Sequence, residues 1–374
     1  MIAPADDFAL YDWLTLERIP RVGPLTIAKL HSAFGSPRAA LEAGADKIRR
    51  LAGLSEQLAQ TISGFVIPKD EILKDIEILA KLQVRVITRW DPDYPLNLKE
   101  IYDPPALLFV RGEIKNEDNR AVAIVGTRNP TRYGIEMTER ISTGLVQAGI
   151  TLVSGLARGI DTACHQTAIK EQGRTIGVLG CGIDVSYPKE NKKLIREMPQ
   201  HGAVISEFRP GIAPLATNFY RRNRIVSGLV KGVLVVEAAR NSGSLITANH
   251  AVDQNRDVFA VPGNLMNPRS HGCHYLIKNG AGLIESADDV IDALFPVTGK
   301  KVQETLFQAQ NHAGDLSDEA ESVLGALDPD PVPIDLLCEN LKIDVGKLAG
   351  LLLELELKGL IRQHPGKMFS RILR

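Results

Sequence analysis

The segment Ala121-Val-Ala-Ile-Val-Gly-Thr-Arg-Asn-Pro-Thr-Arg-Tyr-Gly134 indicates the fold of the largest part of the chain. It joins a short apolar run to a glycine turn, and a helical pattern begins near Thr131. Apolar runs of the same kind recur at residues 151–153, 175–179, 203–205, 233–236 and 258–261. Runs that are apolar throughout are typical of strands covered on both faces, as in a parallel sheet between helices. We therefore predict an α/β fold with a doubly wound, mostly parallel, Rossmann-like sheet over residues 99–295.

Two smaller regions flank the predicted sheet. Residues 1–98 contain short helical patterns separated by Gly and Pro, and residues 19–35 have the outline of a helix-hairpin-helix unit around Gly23. Such a unit either packs as a structural module or holds a DNA phosphate, and the sequence leaves both open. Residues 296–315 lack a sustained apolar period, which indicates a linker. Residues 316–374 follow the order helix, helix, helix and two-strand turn, which predicts a winged-helix domain.

The composition limits the classes of function. The 374 residues carry 44 basic and 45 acidic side chains and are 44% hydrophobic, which excludes a disordered chain and a generally basic nucleic-acid coat. A local basic patch remains open. No window reaches about 18 uninterrupted apolar residues and no basic leader is present, which predicts a cytoplasmic protein without a membrane span. The four cysteines lack a C-x-x-C spacing, which argues against a disulfide framework or a zinc ribbon.

Two strand ends carry the groups of an anion site. Gly126-Thr127-Arg128 follows the first apolar run, and Ser242-Gly243-Ser244 precedes a helical pattern that begins near Leu245. The start of a helix presents free backbone N–H groups, and an arginine fork suits phosphate. Because the carboxyl ends of parallel strands meet at one crevice, we expect both groups to face the same ligand.

The strongest charge asymmetry lies between Asn218 and Lys231. This segment holds three arginines and one lysine with no acidic residue, in a chain whose net charge is -1. Phe219 and Tyr220 place aromatic rings beside these cations. Rings that stack on bases and cations that neutralise phosphates are the combination found in proteins that bind single-stranded nucleic acid. The alternative is a solvated arginine-rich helix face, which acidic residues normally interrupt.

The sequence predicts no cofactor and no metal. The glycines after the run at 175–179 would need a further glycine at Val185 to complete a dinucleotide fingerprint, and Tyr187-Pro188 delays the next helix. His271, Cys273 and His274 have no second cluster with metal-ligand spacing. A nicotinamide enzyme and a metal site are therefore both disfavoured.

The chain resembles the bacterial DNA-processing protein A (DprA/Smf) family over nearly its whole length. Tyr220 is a departure, because the family commonly has proline there, and so is Val230, where a small polar residue is usual. The motifs that carry the resemblance are Tyr94-Pro95-x-x-Leu98, Asp103-Pro104-Pro105, Gly126-Thr127-Arg128, Ser154-Gly155-x-Ala157-x-Gly159-Ile160-Asp161, Tyr187-Pro188-x-x-Asn191, Ser206-Glu207, Phe219-x-x-Arg222-Asn223-Arg224-Ile225, Ser242-Gly243-Ser244-Leu245-Ile246-Thr247-Ala248, Val261-Pro262-Gly263 and Gly280-Ala281.

The resemblance implies a recombination mediator that binds single-stranded DNA, protects incoming DNA in natural transformation and helps to load the RecA recombinase. It also implies a homodimer formed through the sheet domain, with no catalytic residue. The contacts to DNA and phosphate expected from the motifs and the resemblance together are Gly126, Thr127, Arg128, Lys189, Phe219, Arg221, Arg222, Asn223, Arg224, Arg240, Ser242, Gly243, Ser244 and Lys278.

Two other classes of protein compete with this interpretation. Nucleotide-monophosphate phosphoribohydrolases have similar sheet domains, but Ile246 and Thr247 stand where those enzymes carry catalytic glutamates. A transcription regulator would use the winged helix, whose third helix carries Glu354 and Glu356 among its few cations.

Overall fold

The computed structural model describes residues 4–296, 317–327, 331–358, 360–364 and 368–371. The chain divides into two compact units, Met1–Pro296 and Val297–Arg374. The N-terminal helices therefore belong to the same unit as the sheet. All but the first residue of the predicted linker, 296–315, lies outside the described residues.

The N-terminal part of the first unit is a cluster of short helices. Ser36 and Ser55 cap two of them, each through a side-chain oxygen that accepts a backbone N–H. Most of their apolar side chains meet in one core that includes Trp13, Leu30 and Ile48. The side chains of Leu14, Ile72 and Leu79 instead pack in a second core, together with residues of the sheet. The helices are α1 Pro4–Arg18, α2 Pro24–Phe34, α3 Pro37–Leu41, α4 Ala45–Ala52, α5 Glu56–Ser63 and α6 Lys69–Lys81.

The prediction that residues 1–98 are entirely helical is wrong at its end. Strand β1, Val84–Thr88, pairs antiparallel with β2, Leu107–Gly112, and the short helix α7, Leu96–Lys99, lies between them in sequence. The helical period of α6 stops at Lys81, and Gln83 takes a left-handed φ of 54°. The next residues, Val-Arg-Val-Ile-Thr, are mostly β-branched and fit a half-buried strand.

Except for the last one, the remaining strands of the first unit follow the predicted apolar runs, within one residue at each end. No run predicted the last strand, which has two residues. The strands are β3 Ala121–Val125, β4 Thr151–Ser154, β5 Thr175–Val178, β6 Gly202–Ser206, β7 Gly232–Val235, β8 Asp257–Ala260 and β9 Gly282–Leu283. The helices are α8 Arg132–Gln147, α9 Ile160–Lys170, α10 Lys192–Glu197, α11 Ala216–Gly228, α12 Gly243–Asp253, α13 His271–Lys278 and α14 Ala287–Leu294.

These strands form one twisted layer in the order β1-β2-β6-β5-β4-β3-β7-β8-β9. The strands from β3 to β9 are parallel, and β1 and β2 extend the edge in antiparallel fashion. Helices cover both faces, each over its own apolar core. The strand order reverses at β3, which lies between β4 and β7. In open α/β sheets a ligand crevice forms at such a switch point, outside the carboxyl ends of the strands.

The second unit has the winged-helix order predicted from the sequence. Leu337, Leu348, Leu352 and Phe369 lie in its core. On its third helix and just after it, Lys347 pairs with Glu319 at 2.6 Å and Lys358 with Glu354 at 2.8 Å. The tip of the predicted turn, residues 365–367, lies outside the described residues. The elements are α15 Asp318–Gly325, β10 Val332–Pro333, α16 Ile334–Leu341, α17 Val345–Leu357, β11 Ile361–His364 and β12 Met368–Arg371.

Candidate nucleic-acid interface

A crevice of about 730 Å³ opens at the switch point of the sheet. The loops after β3, β4 and β7 form its walls together with α11 and the start of α12. The predicted site residues that line it are Gly126, Thr127, Arg128, Phe219, Arg222, Asn223, Ser242, Gly243 and Ser244. The structure therefore brings together the two predicted anion groups and part of the arginine segment.

The start of α8 is not free to bind a phosphate, which corrects the first predicted anion site. Glu237 follows β7 and is only 1% exposed. Its carboxylate accepts hydrogen bonds from the Thr131 backbone N–H at 2.8 Å and from the Thr131 hydroxyl at 2.6 Å. Gly134 has no side chain because a Cβ there would collide with this carboxylate. The protein's own anion thus occupies this helix start.

The backbone of Glu237 also holds the Gly126-Thr127-Arg128 loop. The Thr127 N–H donates to the Glu237 carbonyl oxygen at 2.7 Å, and a Cβ on Gly126 would lie 2.9 Å from that oxygen. Arg128 is exposed at the rim of the crevice. Among the described residues, no carboxylate lies within ion-pair distance of its guanidinium. The Glu237 backbone therefore fixes the loop, and the Arg128 guanidinium stays available to a ligand.

The start of α12 retains the open geometry that the sequence predicts. The Ser242 side chain caps the helix by accepting the Ser244 N–H at 3.3 Å, and the two hydroxyls are 2.8 Å apart. Asn223 of α11 donates to the Gly243 carbonyl oxygen at 3.4 Å. In the described part of the chain, no carboxylate hydrogen-bonds to this turn. The positive end of the α12 dipole therefore faces the crevice without an internal anion.

Aromatic rings form one wall of the crevice. The rings of Phe219 and Tyr187 lie 5.3 Å apart at an angle of 38°. Gly180 leaves room for Phe219, since a Cβ there would be 2.5 Å from the ring. The Arg128 guanidinium lies 6.0 Å from the centre of the Phe219 ring. A planar base entering this wall would meet both an aromatic face and a cation.

Arg222 lines the crevice but is held in place by the protein. It is only 5% exposed, and its Nη1 donates to the carbonyl oxygens of Gly155 and Val178 at the ends of β4 and β5. Burial lowers the pKa of this guanidinium to about 10, and the nearby Asp161 opposes that effect. Within the described residues, Nη2 has no hydrogen-bond acceptor. The structure thus gives Arg222 a structural role and leaves one nitrogen for a ligand.

Arg224 does not line the crevice, which corrects its predicted role. The residue is 6% exposed and pairs with Glu207 at 2.5 Å and with Asp103 at 3.2 Å. Both acids lie outside the 218–231 segment, so the absence of acids in that segment does not make its arginines free. Arg221, one helical step before Arg222, is exposed and lies over the Phe208 ring at 5.5 Å.

The other three predicted contacts lie outside the crevice lining. Lys189 is exposed in the short turn before α10. Arg240 lies 5.9 Å from the ring of Tyr275, and Lys278 is exposed at the end of the same helix, α13. Arg240 stands between Ala239 and Asn241, which line the crevice, but none of these three cations forms its walls.

Sequence reasoning missed the roles of Tyr187 and Glu237. Tyr187 entered the sequence analysis only through the loop that excluded a dinucleotide site and through a family motif, yet its ring completes the aromatic wall. Asp161, also unassigned as a contact, lines the crevice and accepts the Gly155 and Ala157 N–H groups at 3.1 and 3.2 Å. Burial raises the pKa of this carboxyl.

The described residues hold neither a metal-binding cluster nor a membrane-spanning helix. They contain no group of three or more His, Cys, Asp or Glu side chains that could hold a metal ion. No helix among them is both long and apolar enough to span a membrane.

The fold and the crevice define a doubly wound α/β protein with a ligand site at its switch point. The sequence profile described as DNA recombination-mediator protein A matches residues 85–295, more than half of the chain. Profiles of the DprA winged helix domain and of a SAM-like helix-hairpin-helix tandem match residues 308–367 and 14–63. The chain belongs to the DNA recombination-mediator protein A family, DprA/Smf, which confirms the resemblance seen in its motifs.

Relatives cover the chain along its whole length. Protein Smf of Synechocystis is 32% identical over 96% of this chain and 98% of its own length. The structure of DNA processing protein A from Streptococcus pneumoniae has a TM-score of 0.67 at 35% identity, covering 76% of this chain and 97% of its own. The Helicobacter pylori protein, whose structure describes a single-stranded DNA binding mode, has a TM-score of 0.51 at 30% identity over 57% of this chain and 96% of its own. The predicted fold class is confirmed.

Proposed function

We propose that this protein is a recombination mediator that binds single-stranded DNA in the crevice at the switch point of its sheet. One observation carries the proposal: a single crevice combines the unpaired Arg128, the adjacent rings of Tyr187 and Phe219, and the open start of α12. Cations and helix starts bind phosphates, and rings bind bases. Together they suit a strand of several nucleotides better than a free anion.

The arrangement favours a single strand over a duplex. Rings inside a crevice are accessible only to bases that have left their stack, whereas a duplex presents its backbone and groove edges. Stacking and phosphate neutralisation read no base edges, so sequence preference is expected to be weak. The single-stranded DNA binding mode described for the Helicobacter pylori relative agrees with this choice.

The family resemblance extends the proposal to partners. We infer that the protein protects incoming DNA in natural transformation, helps to load RecA and forms a homodimer through its sheet domain. Exposed apolar side chains near the β8–β9 edge support the dimer, with Leu265 77%, Met266 88% and Leu283 49% exposed. Light scattering tests the dimer. A strand-exchange assay with RecA and a single-strand-binding protein tests the loading.

We further propose that the protein is not an enzyme. Ile246 and Thr247 line the crevice where nucleotide hydrolases of similar fold carry glutamates. Glu237 is engaged by the start of α8, and the Asp161 carboxylate accepts two backbone N–H groups. Incubation with nucleoside monophosphates should release no free base. Turnover that disappears in Glu237→Gln would make the protein an enzyme.

A gel-shift comparison tests the proposed function most directly. A single-stranded oligonucleotide should bind at concentrations at which a blunt duplex of equal length does not. Affinity should fall steeply with salt, with a slope of about -0.7 per neutralised phosphate in a double-logarithmic plot. Equal affinity for the duplex, or binding that ignores salt, would contradict the proposal.

A further inference from the structure

Two exposed tyrosines, one at the rim of the crevice and one outside it, were given no role in the site described above. Tyr220 follows Phe219 on α11, lines the rim of the crevice and is 56% exposed. Its ring packs edge-on against His250 of α12 at 5.6 Å, which limits its rotation. Tyr102 is 85% exposed, and none of its ring atoms takes part in a ring contact within the described residues.

The fold places Tyr102 beside the outer side of α11. The segment that follows α7 crosses this helix, and a Cβ on Gly228 would touch Leu98 at 2.8 Å and Ile101 at 3.0 Å. The next contact is between Asp103 and Arg224 at 3.2 Å. Arg224 is one helical turn, about 5.4 Å, beyond Tyr220. Tyr102, next to Asp103, therefore flanks the same stretch of α11 that carries Tyr220.

Two arginines and two carboxylates define the charge of this surface. Arg221 is exposed between the crevice and the outer side of α11, and its guanidinium lies over the Phe208 ring at 5.5 Å. The carboxylates of Asp103 and Glu207 are both paired with the buried Arg224. Arg221 also lies 3.9 Å from Glu207, so its guanidinium, on a side chain that is 53% exposed, is shared between that carboxylate and the solvent. We name the surface formed by Tyr102, Tyr220 and Arg221 the outer ledge.

We propose that a DNA strand leaving the crevice continues over the outer ledge, with bases stacked on Tyr220 and then on Tyr102. Arg221 neutralises a phosphate between them. This inference rests on the proposed function, because it extends the same binding site. Its basis is continuity: the rings run from Tyr187 and Phe219 inside the crevice through Tyr220 at the rim. Each exposed ring offers a face to a base without reading its edges.

Two oligothymidylates separate the ledge from the crevice. One has about 6 nucleotides and fills little more than the crevice, and the other has about 20 and reaches the ledge. Their affinities for wild type and for Tyr102→Ala are measured by fluorescence anisotropy. Tyr102→Ala should weaken the long oligonucleotide about tenfold and leave the short one within about twofold of wild type. Tyr102→Phe keeps the ring and should bind both as wild type does. Leu96→Ala, an exposed apolar change on the same segment, is the second control.

Photocrosslinking with iodouracil at defined positions provides a second readout. Adducts to Tyr102 should form with the long oligonucleotide and not with the short one. Equal loss of both lengths in Tyr102→Ala, or unchanged binding of the long one, would overturn the ledge. A matching duplex that binds with the same dependence on Tyr102 would also overturn it. Failure of wild type to bind either oligonucleotide would instead refute the crevice itself, so the two failures remain distinguishable.

Discussion

The starts of α8 and α12 look alike in sequence and differ in what they bind. Each follows a buried strand, each carries small residues, and each is capped by a hydroxyl, from Thr131 in α8 and from Ser242 in α12. In α8 the buried carboxylate of Glu237 accepts the Thr131 N–H and hydroxyl. No described carboxylate hydrogen-bonds to the α12 turn. One helix start is therefore part of the scaffold, and the other faces the open crevice.

The difference teaches that a helix start is an anion site only when the protein has not supplied the anion. Glu237 uses the α8 dipole to fix the loop that carries Arg128, and it leaves the arginine itself unpaired. The crevice thus has a cation on a fixed loop at one wall and an open helix start at the other. Side chains that are already fixed before binding lose less conformational entropy when a ligand binds.

Removal of Glu237 should have the largest effect. Glu237→Ala leaves the partly buried Thr131 N–H and hydroxyl without their acceptor, which should lower the free energy of unfolding by about 3 kcal/mol. Glu237→Gln should lose less, because its amide oxygen still accepts one of these hydrogen bonds. Denaturant titration measures both. Glu136→Ala removes an exposed ion pair with Arg132 and is the control, with an expected loss of under about 1 kcal/mol. If the Glu237 and Glu136 variants unfolded at the same denaturant concentration, the α8 start would not depend on Glu237, and the distinction between the two helix starts would be wrong.

Arg128 tests the ligand side of the α8 loop. Arg128→Ala should weaken single-stranded DNA binding by about 1 to 3 kcal/mol without changing stability, because its guanidinium is exposed and unpaired. Arg128→Lys should recover only part of the loss, since lysine lacks the fork that binds two phosphate oxygens. Quantitative gel shifts give the affinities. Binding of a folded Arg128→Ala protein at wild-type strength would refute the assignment.

Gly243→Asp would make the α12 start resemble the α8 start. A Cβ at Gly243 meets no atom within 4 Å, so the side chain fits, and a carboxylate at a helix start favours folding. The same carboxylate should repel phosphate and weaken DNA binding about tenfold. Gly243→Asn, neutral and of the same size, should bind nearly as wild type does. If the two variants bind equally, the α12 start does not hold a phosphate.

A further carboxyl, Glu17, sharpens the contrast with Glu237. Its Oε2 is buried and has no hydrogen-bond partner among the described residues, and Arg209 is 3.8 Å away. Burial raises the pKa of this carboxyl from 4.5 to about 7, and Arg209 opposes the shift. The folded state therefore holds this proton more tightly, and stability should fall as the pH rises from about 5 to about 8.

Melting temperatures across this pH range test Glu17. Glu17→Gln cannot ionise, so its stability should decline less over the same range than that of wild type. Glu42→Gln changes an exposed carboxyl and should keep the wild-type slope. If the melting temperature of Glu17→Gln changed with pH as that of wild type does, the Glu17 carboxyl would have partners comparable to those of Glu237.

The amino-acid sequence by itself determined the parallel sheet, the winged-helix order and the family. Strands covered on both faces are apolar throughout, so runs such as residues 121–125 can be predicted from the local sequence without any knowledge of their neighbours. β1 was missed because a short, half-buried edge strand carries a weak local pattern after a long helical one. The Gly126-Thr127-Arg128 and Ser242-Gly243-Ser244 turns were also legible, since strand, turn and helix cap are adjacent in sequence.

Only the tertiary structure decided which of these groups face the ligand. Thr131 and Glu237 are 106 positions apart and meet because β3 pairs with β7. Arg222 and Arg224 belong to one basic segment, yet the first is tied to strand-end carbonyls and the second is neutralised by Glu207 and Asp103. The charge of a segment is local information, whereas the partners of each charge come from distant strands and loops. Burial and pairing are therefore properties of the packed fold, which no stretch of this sequence reveals alone.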